Sequence, residues 1–437
     1  MRVLVVGSGG REHALVWKIR QSAKVTRIYC EPGNGGTIAE THRTAAGLSK
    51  IDQLLRFAKE QQIDLTVVGP ELPLTEGIVD KFEKEGLRTI GPTAAAARLE
   101  ASKIFAKAFM HRHRIPTARY AEASSFEGAS ALVRSGDFGF PLVIKADGLA
   151  AGKGVFVAGD VNQAESAIQQ IMREKVLGAA GERIILEEFL RGEEVSFLVF
   201  TDGVHALPMV PSQDHKTVYD DDLGPNTGGM GAYSADWILT SELHRQIVKT
   251  IVDPTLQGMA AEGTPYRGIL YFGLMLTEEG PKVLEFNVRM GDPETQPVLF
   301  RLQSDIVDVF EAIIERRLDQ AALQWDHQCS VCVVLTSSGY PGSFSRGKVI
   351  SGLADAEALP NVKVFHAGTE LKQDRYITAG GRVLGVTAKA GSLQSAIDLA
   401  YGAVAKIHFD QMHYRRDIGR KGLKKQAAMA SSDPPFY

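Results

Sequence analysis

Apolar and polar positions along the first hundred residues follow two alternating periods. Short apolar runs (RVLVVG, TRIYC, LTVVG, TIGP) are separated by stretches with apolar residues three and four apart (REHALVWKIRQS, IDQLLRFAKEQ, EGIVDKFEKEG). This strand–helix alternation predicts a doubly wound parallel sheet. Its turns at 7–13, 32–36 and 69–73 fall at the carboxyl edge, where such sheets take up ligands. The first turn, GSGGREH, sets backbone N–H groups at a helix N-terminus, where an anion is favoured. A plain tight turn has the same residues. Glu12 stands where a dinucleotide fingerprint requires glycine, which argues against a nicotinamide cofactor.

From about residue 91 the spacing changes. Residues 93–113 combine strong helix formers with apolar spacing suited to a docked helix, in which Lys103 and Lys107 read as surface charges. Residues 138–158 predict a strand carrying Lys145, a loop with Gly148, Gly152 and Gly154, and a second strand. A glycine hairpin lets amides approach phosphate oxygens closely, and Lys145 adds a point charge; a flexible hairpin without a ligand has the same pattern. This is not the strand–loop–helix of a G-x-x-x-x-G-K-S/T phosphate loop. Residues 184–203 read as strand, linker, acidic turn and strand. A linker between Glu187 and Leu190 offers donors and acceptors to an adenine edge, and Glu194 a carboxylate to ribose hydroxyls. Alternatively these acids are solvated turn residues.

Residues 212–234 read as a long polar loop whose glycines allow tight wrapping, with Asp214, His215 and Lys216 offering mixed charge to a small zwitterion. A helix near 241–258 leads to a hairpin of ILYFGLMLT and KVLEFNVRM. Alternation in its second strand places Glu285, Asn287 and Arg289 on one face and Leu284, Phe286, Val288 and Met290 on the other. The first two are hard oxygen donors suited to Mg²⁺, and Arg289 suits phosphate or carboxylate oxygens; a solvated polar face fits equally. From about Trp325 strands return and close with a helix and HYRRDIG, read as a separate mixed domain. The polar, proline-containing residues 426–437 are expected to be disordered.

Composition narrows the classes. A chain of 437 residues predicts two to four domains, and a net charge of -3 excludes a broad basic surface for nucleic acid. The N-terminal residues lack the apolar region of a signal peptide, and no apolar run approaches a membrane span. Three cysteines are too few for a disulfide framework, which points to the cytoplasm; Cys329 and Cys332 sit in an apolar strand and read as structural thiols.

The order of parts, with a lysine strand and glycine hairpin, an E-E-x-L linker and an E-x-N strand, resembles an ATP-grasp ligase. More narrowly, RMGDPETQ (289–296), GPNTGGMGAYS, ADGLAAGKGV, GSGGREHA and HYRRDIG together resemble the glycinamide ribonucleotide synthetase family, over residues 1 to about 419. The resemblance implies an α/β and α+β multidomain architecture. An N-terminal pre-ATP-grasp domain with the parallel sheet (1–103) precedes an ATP-grasp domain (104–325) with a mobile lid at about 120–190, and a C-terminal mixed α/β domain (326–425) follows. It also implies ATP as substrate, Mg²⁺ or Mn²⁺, and ligation of glycine to 5-phosphoribosylamine by a cytoplasmic monomer with neither nucleic acid nor membrane as partner.

Residue by residue, Lys103 and Lys145 match lysines on the ATP phosphates, and Gly148, Gly152, Lys153 and Gly154 match the lid above them. Glu187, Glu188 and Leu190 match the adenine linker, Glu194 the ribose acid, and Glu285 and Asn287 the metal ligands. Arg289, Gly291 and Asp292 fall beside the phosphoryl-transfer centre. Asp214, Lys216, Asn226, Gly228 and Gly229 resemble the glycine side, with Asp214 also catalytic, and Gly9, Gly10 and Arg11 the phosphoribosylamine side. Met275 departs from the wider superfamily, which often places an acid there, so a second carboxylate ligand stays open. The competing readings are another ATP-grasp ligase or carboxylase, and a regulatory module that grips ATP without chemistry.

Overall fold

The computed structural model describes residues 1–42, 47–149 and 154–432. Strands β1 (Arg2–Gly7), β2 (Arg27–Pro32), β3 (Leu65–Val68) and β4 (Thr89–Ile90) form the predicted parallel sheet, in the order β2-β1-β3-β4. Val3, Leu4, Val5, Leu65 and Val67 are almost wholly buried, so the runs are continuously apolar because helices cover both faces. Removing each such side chain from water contributes ~1.5–3 kcal/mol.

A smaller antiparallel sheet follows, in the order β5-β8-β6-β7: β5 (Tyr120–Ala123), β6 (Leu142–Ala146), β7 (Val155–Ala158) and β8 (Ile184–Glu188). Its apolar face packs with two helices into a core of its own, around Ile144, Ile168 and Leu186. A unit with a private core can tilt as a body, which is what a lid requires.

The remaining strands are β9 (Glu193–Thr201), β10 (Ala206–Pro208), β11 (Ser212–Asp214), β12 (Thr217–Tyr219), β13 (Leu223–Asn226), β14 (Gly231–Ser234), β15 (Gly268–Thr277), β16 (Gly280–Asn287), β17 (Cys329–Thr336), β18 (Val362–His366), β19 (Thr369–Lys372), β20 (Arg375–Thr378) and β21 (Arg382–Ala390). Nine of them form one sheet, ordered β16-β15-β9-β11-β14-β17-β21-β18 with β10 added on β9. The C-terminal strands expected to stand apart therefore extend this sheet, because β14 pairs with β17.

Three local expectations change. Residues 212–234 are not one loop: β11 and β14 enter the central sheet, and β12 pairs with β13 as a hairpin. Their polar composition hid this, since Ser212, Gln213 and Ser234 are buried and the fully buried Arg301 donates to Ser234 Oγ at 2.8 Å. In β16 the alternation breaks at a bulge opposite Gly273 and Leu274, so Val283 takes the core position while Leu284 turns toward the cavity described below. Finally, a helix spans Arg420–Ser432, into the segment expected to be disordered; residues 433–437 lie outside the described residues.

Candidate active site

The small sheet, the central sheet and the turns after β1 and β3 enclose a cavity of about 850 Å³. Glu285 and Asn287 line it from β16. Neither side chain has a hydrogen-bond or ion-pair partner among the described residues. Burial disfavours the Glu285 carboxylate, but Lys216, Lys145, Lys103 and Arg289 outweigh it and hold its pKa below the usual value. The pair thus presents hard oxygens to a space ringed by cations, a donor set that fits a Mg²⁺ or Mn²⁺ ion completing its shell with phosphate oxygens. No cluster of three or more His, Cys, Asp or Glu side chains placed to hold a metal occurs among the described residues, so such an ion would depend on those extra oxygens.

Two lysines face this strand. Lys145, on β6, donates to Leu284 O at 3.1 Å and lies 3.0 Å from Glu187 Oε2. Lys103, at the start of the helix Lys103–Arg112, donates to Gly148 O at 2.9 Å, and burial lowers its pKa. Lys107, one turn further along the helix, is not the surface charge its spacing suggested. It is 2% exposed, lies 3.3 Å from Glu187 Oε2, and burial brings its pKa down to about 8. Glu187 accordingly stands inside β8 bridging two lysines, with its other oxygen buried and without a partner among the described residues. Glu188 also borders the cavity while pairing with Arg119 at 2.8 Å, and Leu190, buried, lines it too. Gly148 and Gly154 border the same space; Gly152 and Lys153 lie outside the described residues.

Glu194, on β9, pairs with Lys216 at 3.0 Å. Burial opposes the Lys216 ammonium, yet Glu194, Asp214 and Glu285 together hold its pKa well above the usual lysine value. Asp214, at the end of β11, is pushed by burial, and by Glu294, Glu194 and Glu285, up to about 7. Beside it Ser196 Oγ lies 3.0 Å from the Tyr271 hydroxyl and donates to Glu294 Oε1 at 3.3 Å.

The loop after β16 is braced by distant segments. Arg289 reaches Glu71 at 3.1 Å and Glu100 at 2.9 Å, so its charge is largely matched by protein carboxylates. Glu100 in turn accepts the Val288 N–H at 2.7 Å. Asp292 lies 3.3 Å from Arg382 and accepts from Gln296 at 3.0 Å. Arg382 also donates to the carbonyls of Gly228 and Asp292, both at 2.5 Å, and Gly228 N–H donates to the Tyr340 hydroxyl at 3.0 Å. Gly229 has φ +113°, and a Cβ there would meet Pro293 Cδ at 2.4 Å. Asn226, exposed at the end of β13, borders the cavity.

The N-terminal turn differs from its sequence reading. Glu12 Oε2 accepts the Gly9 N–H at 2.5 Å, and Glu12 Oε1 accepts Arg11 Nε at 2.6 Å. Arg11 reaches the cavity and donates to Met290 O at 3.0 Å, whereas Gly9 and Gly10 do not line it; Gly10 backs onto Gln296 and Asp292. The turn at 32–36 is closed as well, because Asn34 Nδ2 donates to Ser8 O and His366 O and a Cβ on Gly36 would strike His13. Pro70 and Glu71, in the third turn, do reach the cavity. Sequence reasoning passed over Lys107, Tyr271, Ser196, Glu294, Glu71, Glu100 and Arg382. Of these only Lys107, four residues after Lys103, Glu294, inside RMGDPETQ, and Glu71, inside the 69–73 turn, carried a local signal.

Comparison with known proteins places the chain in a family. The family models described as the N domain, ATP-grasp (A) domain and C domain of phosphoribosylglycinamide synthetase match residues 1–100, 101–295 and 330–421. A phosphoribosylamine–glycine ligase of Xylella fastidiosa is 53% identical over 431 residues, 98% of this chain and 99% of that protein. The crystal structure of the phosphoribosylamine–glycine ligase of Thermotoga maritima superposes with a TM-score of 0.83 at 32% identity, covering 95% of this chain and all of that one. A biotin carboxylase of Campylobacter jejuni, 15% identical with a TM-score of 0.70 over 99% of this chain and 96% of its own, shares the fold alone. With all three domain models matched in order and half the residues shared over the full length, the chain belongs to the phosphoribosylglycinamide synthetase family.

Proposed function

We propose that this cavity joins glycine to 5-phosphoribosylamine, coupled to cleavage of ATP, giving glycinamide ribonucleotide, ADP and phosphate in purine biosynthesis. The observation that carries the reading is convergence: the lysine pair, the acid on β9, the two oxygen donors of β16 that have no partner among the described residues, and the RMGDPETQ loop, from segments far apart in the chain, all line one space.

A carboxylate does not condense with an amine in water, so glycine needs activation. A glycine carboxylate oxygen attacks the γ-phosphorus of ATP and expels ADP, leaving glycyl phosphate; the amine of phosphoribosylamine then attacks the acyl carbon and expels phosphate. Phosphoryl transfer asks chiefly for positioning and charge neutralisation, which Lys103 and Lys145 supply from fixed elements. When bound, Mg²⁺ or Mn²⁺ would be held by Glu285 and Asn287 and would add charge neutralisation on the phosphate oxygens. Glu194 accepts ribose hydroxyls, and Leu190 with the neighbouring linker backbone borders the adenine. Asp214, with its carboxyl near neutrality, suits the proton that the attacking amine must lose. Arg289, tied to Glu71 and Glu100, shapes the loop that carries Asp292 more than it supplies free charge. Gly228 and Gly229 shape the glycine side; Lys216, paired with Glu194, and Asn226 stand at the two ends of the hairpin on the nucleotide side, and Arg11 contributes on the phosphoribosylamine side. The small sheet β5-β8-β6-β7, within the lid expected at about 120–190 and with Gly148 and Gly154 bordering the cavity, shields the acyl phosphate from water.

The groups this reaction needs come from one chain, so a monomer suffices for it. Three free, buried cysteines support a cytoplasmic setting, and burial raises the pKa of each thiol, consistent with inert structural roles. No helix among the described residues is long and apolar enough to cross a membrane. The test is ADP release with ATP, freshly generated phosphoribosylamine and either glycine or bicarbonate. Dependence on glycine supports the reading, and dependence on bicarbonate would assign the site to a carboxylase.

A further inference from the structure

The β12–β13 hairpin hangs over the nucleotide side of the cavity, with Lys216 just before it and Asp222 and Asn226 on its inner edge. It has little means of holding itself. Two-stranded hairpins are marginal alone, and here only Val218 is buried while Tyr219 and Leu223 are 54% and 63% exposed. Asp221 and Asp222 lie at φ 58° and 57°, a conformation such residues keep only when their surroundings fix it.

One stretch supplies that fixing: residues 413–421, containing the HYRRDIG motif that the reaction does not use. Arg415, fully buried, makes two 2.7 Å bonds to Asp417 and donates to Thr217 Oγ1 at 2.9 Å, Thr217 O at 3.2 Å and Asp222 Oδ1 at 3.2 Å. Asp417 Oδ2 accepts the Asp221 N–H at 2.9 Å, and Asp220 Oδ1 accepts the Arg416 N–H at 2.7 Å. Lys421 pairs with Asp222 at 2.6 Å. The contact continues along the helix Arg420–Ser432, where Lys425 lies 2.8 Å from Glu193 Oε2 and donates to Ile238 O at 2.9 Å. Glu193 is the neighbour of Glu194, and Thr217 the neighbour of Lys216, so both members of the Glu194–Lys216 pair are held one residue away by the same C-terminal stretch.

We propose that residues 413–425 form a clasp that positions the nucleotide half of the site, with Arg415 and Lys425 as its positioning residues. The inference rests on the reading of this cavity as an ATP site. Arg415 acts through Thr217 and Asp222, and Lys425 through Glu193; neither touches the reacting atoms. A planar guanidinium bonded to four groups has no equivalent in lysine, whose three donors radiate from a point.

The test uses the full-length chain with Lys425→Met and Arg415→Lys, measuring kcat and KM for ATP and glycine by ADP release, and ADP affinity by calorimetry. A misplacement of about 1 Å is enough for large kinetic effects, so KM for ATP and Kd for ADP should rise roughly tenfold, with KM for glycine near the parent value. Folding is followed by circular dichroism. If Arg415→Lys does not fold, Lys425→Met, whose side chain is 25% exposed, decides alone. Parent-like ATP and ADP affinity in the folded variants overturns the clasp, as does a loss of kcat with every KM unchanged, the mark of a smaller active fraction. A parent chain that binds ADP but lacks glycine-dependent turnover overturns the proposed reaction and leaves the clasp to be decided by the ADP titration. A parent that does not bind ADP overturns both.

Discussion

The turn after β1 and the end of β16 both present charged and polar groups at the edge of a sheet, and the structure treats them oppositely. At β1 the helix N-terminus looks ready for an anion, but the chain supplies its own. Glu12 accepts from Gly9 and Arg11, and it is packed so tightly that a Cβ on Gly69 would come within 2.1 Å of its carboxylate. At β16, Glu285 and Asn287 are left without partners among the described residues, facing lysines across a cavity. Polar groups that satisfy one another stabilise a fold; polar groups left facing space are available to a ligand. The first turn is closed on its own anion and sends only Arg11 to the cavity, whereas the second is left open to a ligand.

Substitution separates the two. Glu285→Ala or Asn287→Ala should lower kcat by roughly 10³-fold or more, the scale of losing a group that neutralises developing charge, while melting stays close to the parent. Near-normal turnover with an unchanged metal requirement would remove both from the ligand set. Glu12→Ala should do the reverse. It strands the buried Arg11 charge and frees the Gly9 amide, costing ~3–5 kcal/mol of stability, read from denaturant unfolding, with the metal requirement and KM for ATP unchanged at low temperature. A Glu12→Ala protein of parent stability would erase the contrast.

The sequence made part of this contrast legible. The E-x-N spacing, the glycine hairpin and the acidic linker are local patterns, and the period-two rule put Glu285 and Asn287 on the cavity side. The same rule failed at Leu284, because a bulge is set by pairing with β15 and leaves no mark in the strand itself. Arg289 looked free for phosphate because its partners Glu71 and Glu100 lie 218 and 189 residues away. Glu12 was informative only by its misfit to a glycine fingerprint. Its role as the turn's own anion needed the positions of Gly7 and Gly69. Polar β11 and β14 read as loop because burial of their serines and Gln213 depends on partners such as Arg301 far along the chain.

Smaller effects sharpen the picture on the nucleotide side. Glu194→Ala should raise KM for ATP by roughly tenfold, the scale of one or two charge-assisted hydrogen bonds to a ribose, and leave KM for glycine unchanged. Unaltered ATP affinity would move the ribose acid elsewhere. The smallest effect concerns pH. Burial, with Glu294, Glu194 and Glu285 nearby, keeps a proton on Asp214 up to about pH 7, whereas the unfolded carboxyl releases it near the ordinary aspartate value. Over the window between those two values the folded state binds more protons, so this group's contribution to stability is present below it and lost as pH rises through it. Asp214→Asn should therefore melt like the parent at acidic pH and slightly above it at mildly alkaline pH. An unchanged difference across that window would mean Asp214 is not the buried, proton-holding group.

The most direct test of the account follows an oxygen atom. With glycine labelled with ¹⁸O in its carboxylate, together with ATP and phosphoribosylamine, activation through glycyl phosphate carries one labelled oxygen into each inorganic phosphate released. Phosphate mass analysis should show that transfer only when all three substrates and the parent chain are present. Product formed with unlabelled phosphate would contradict the mechanism assigned to this cavity.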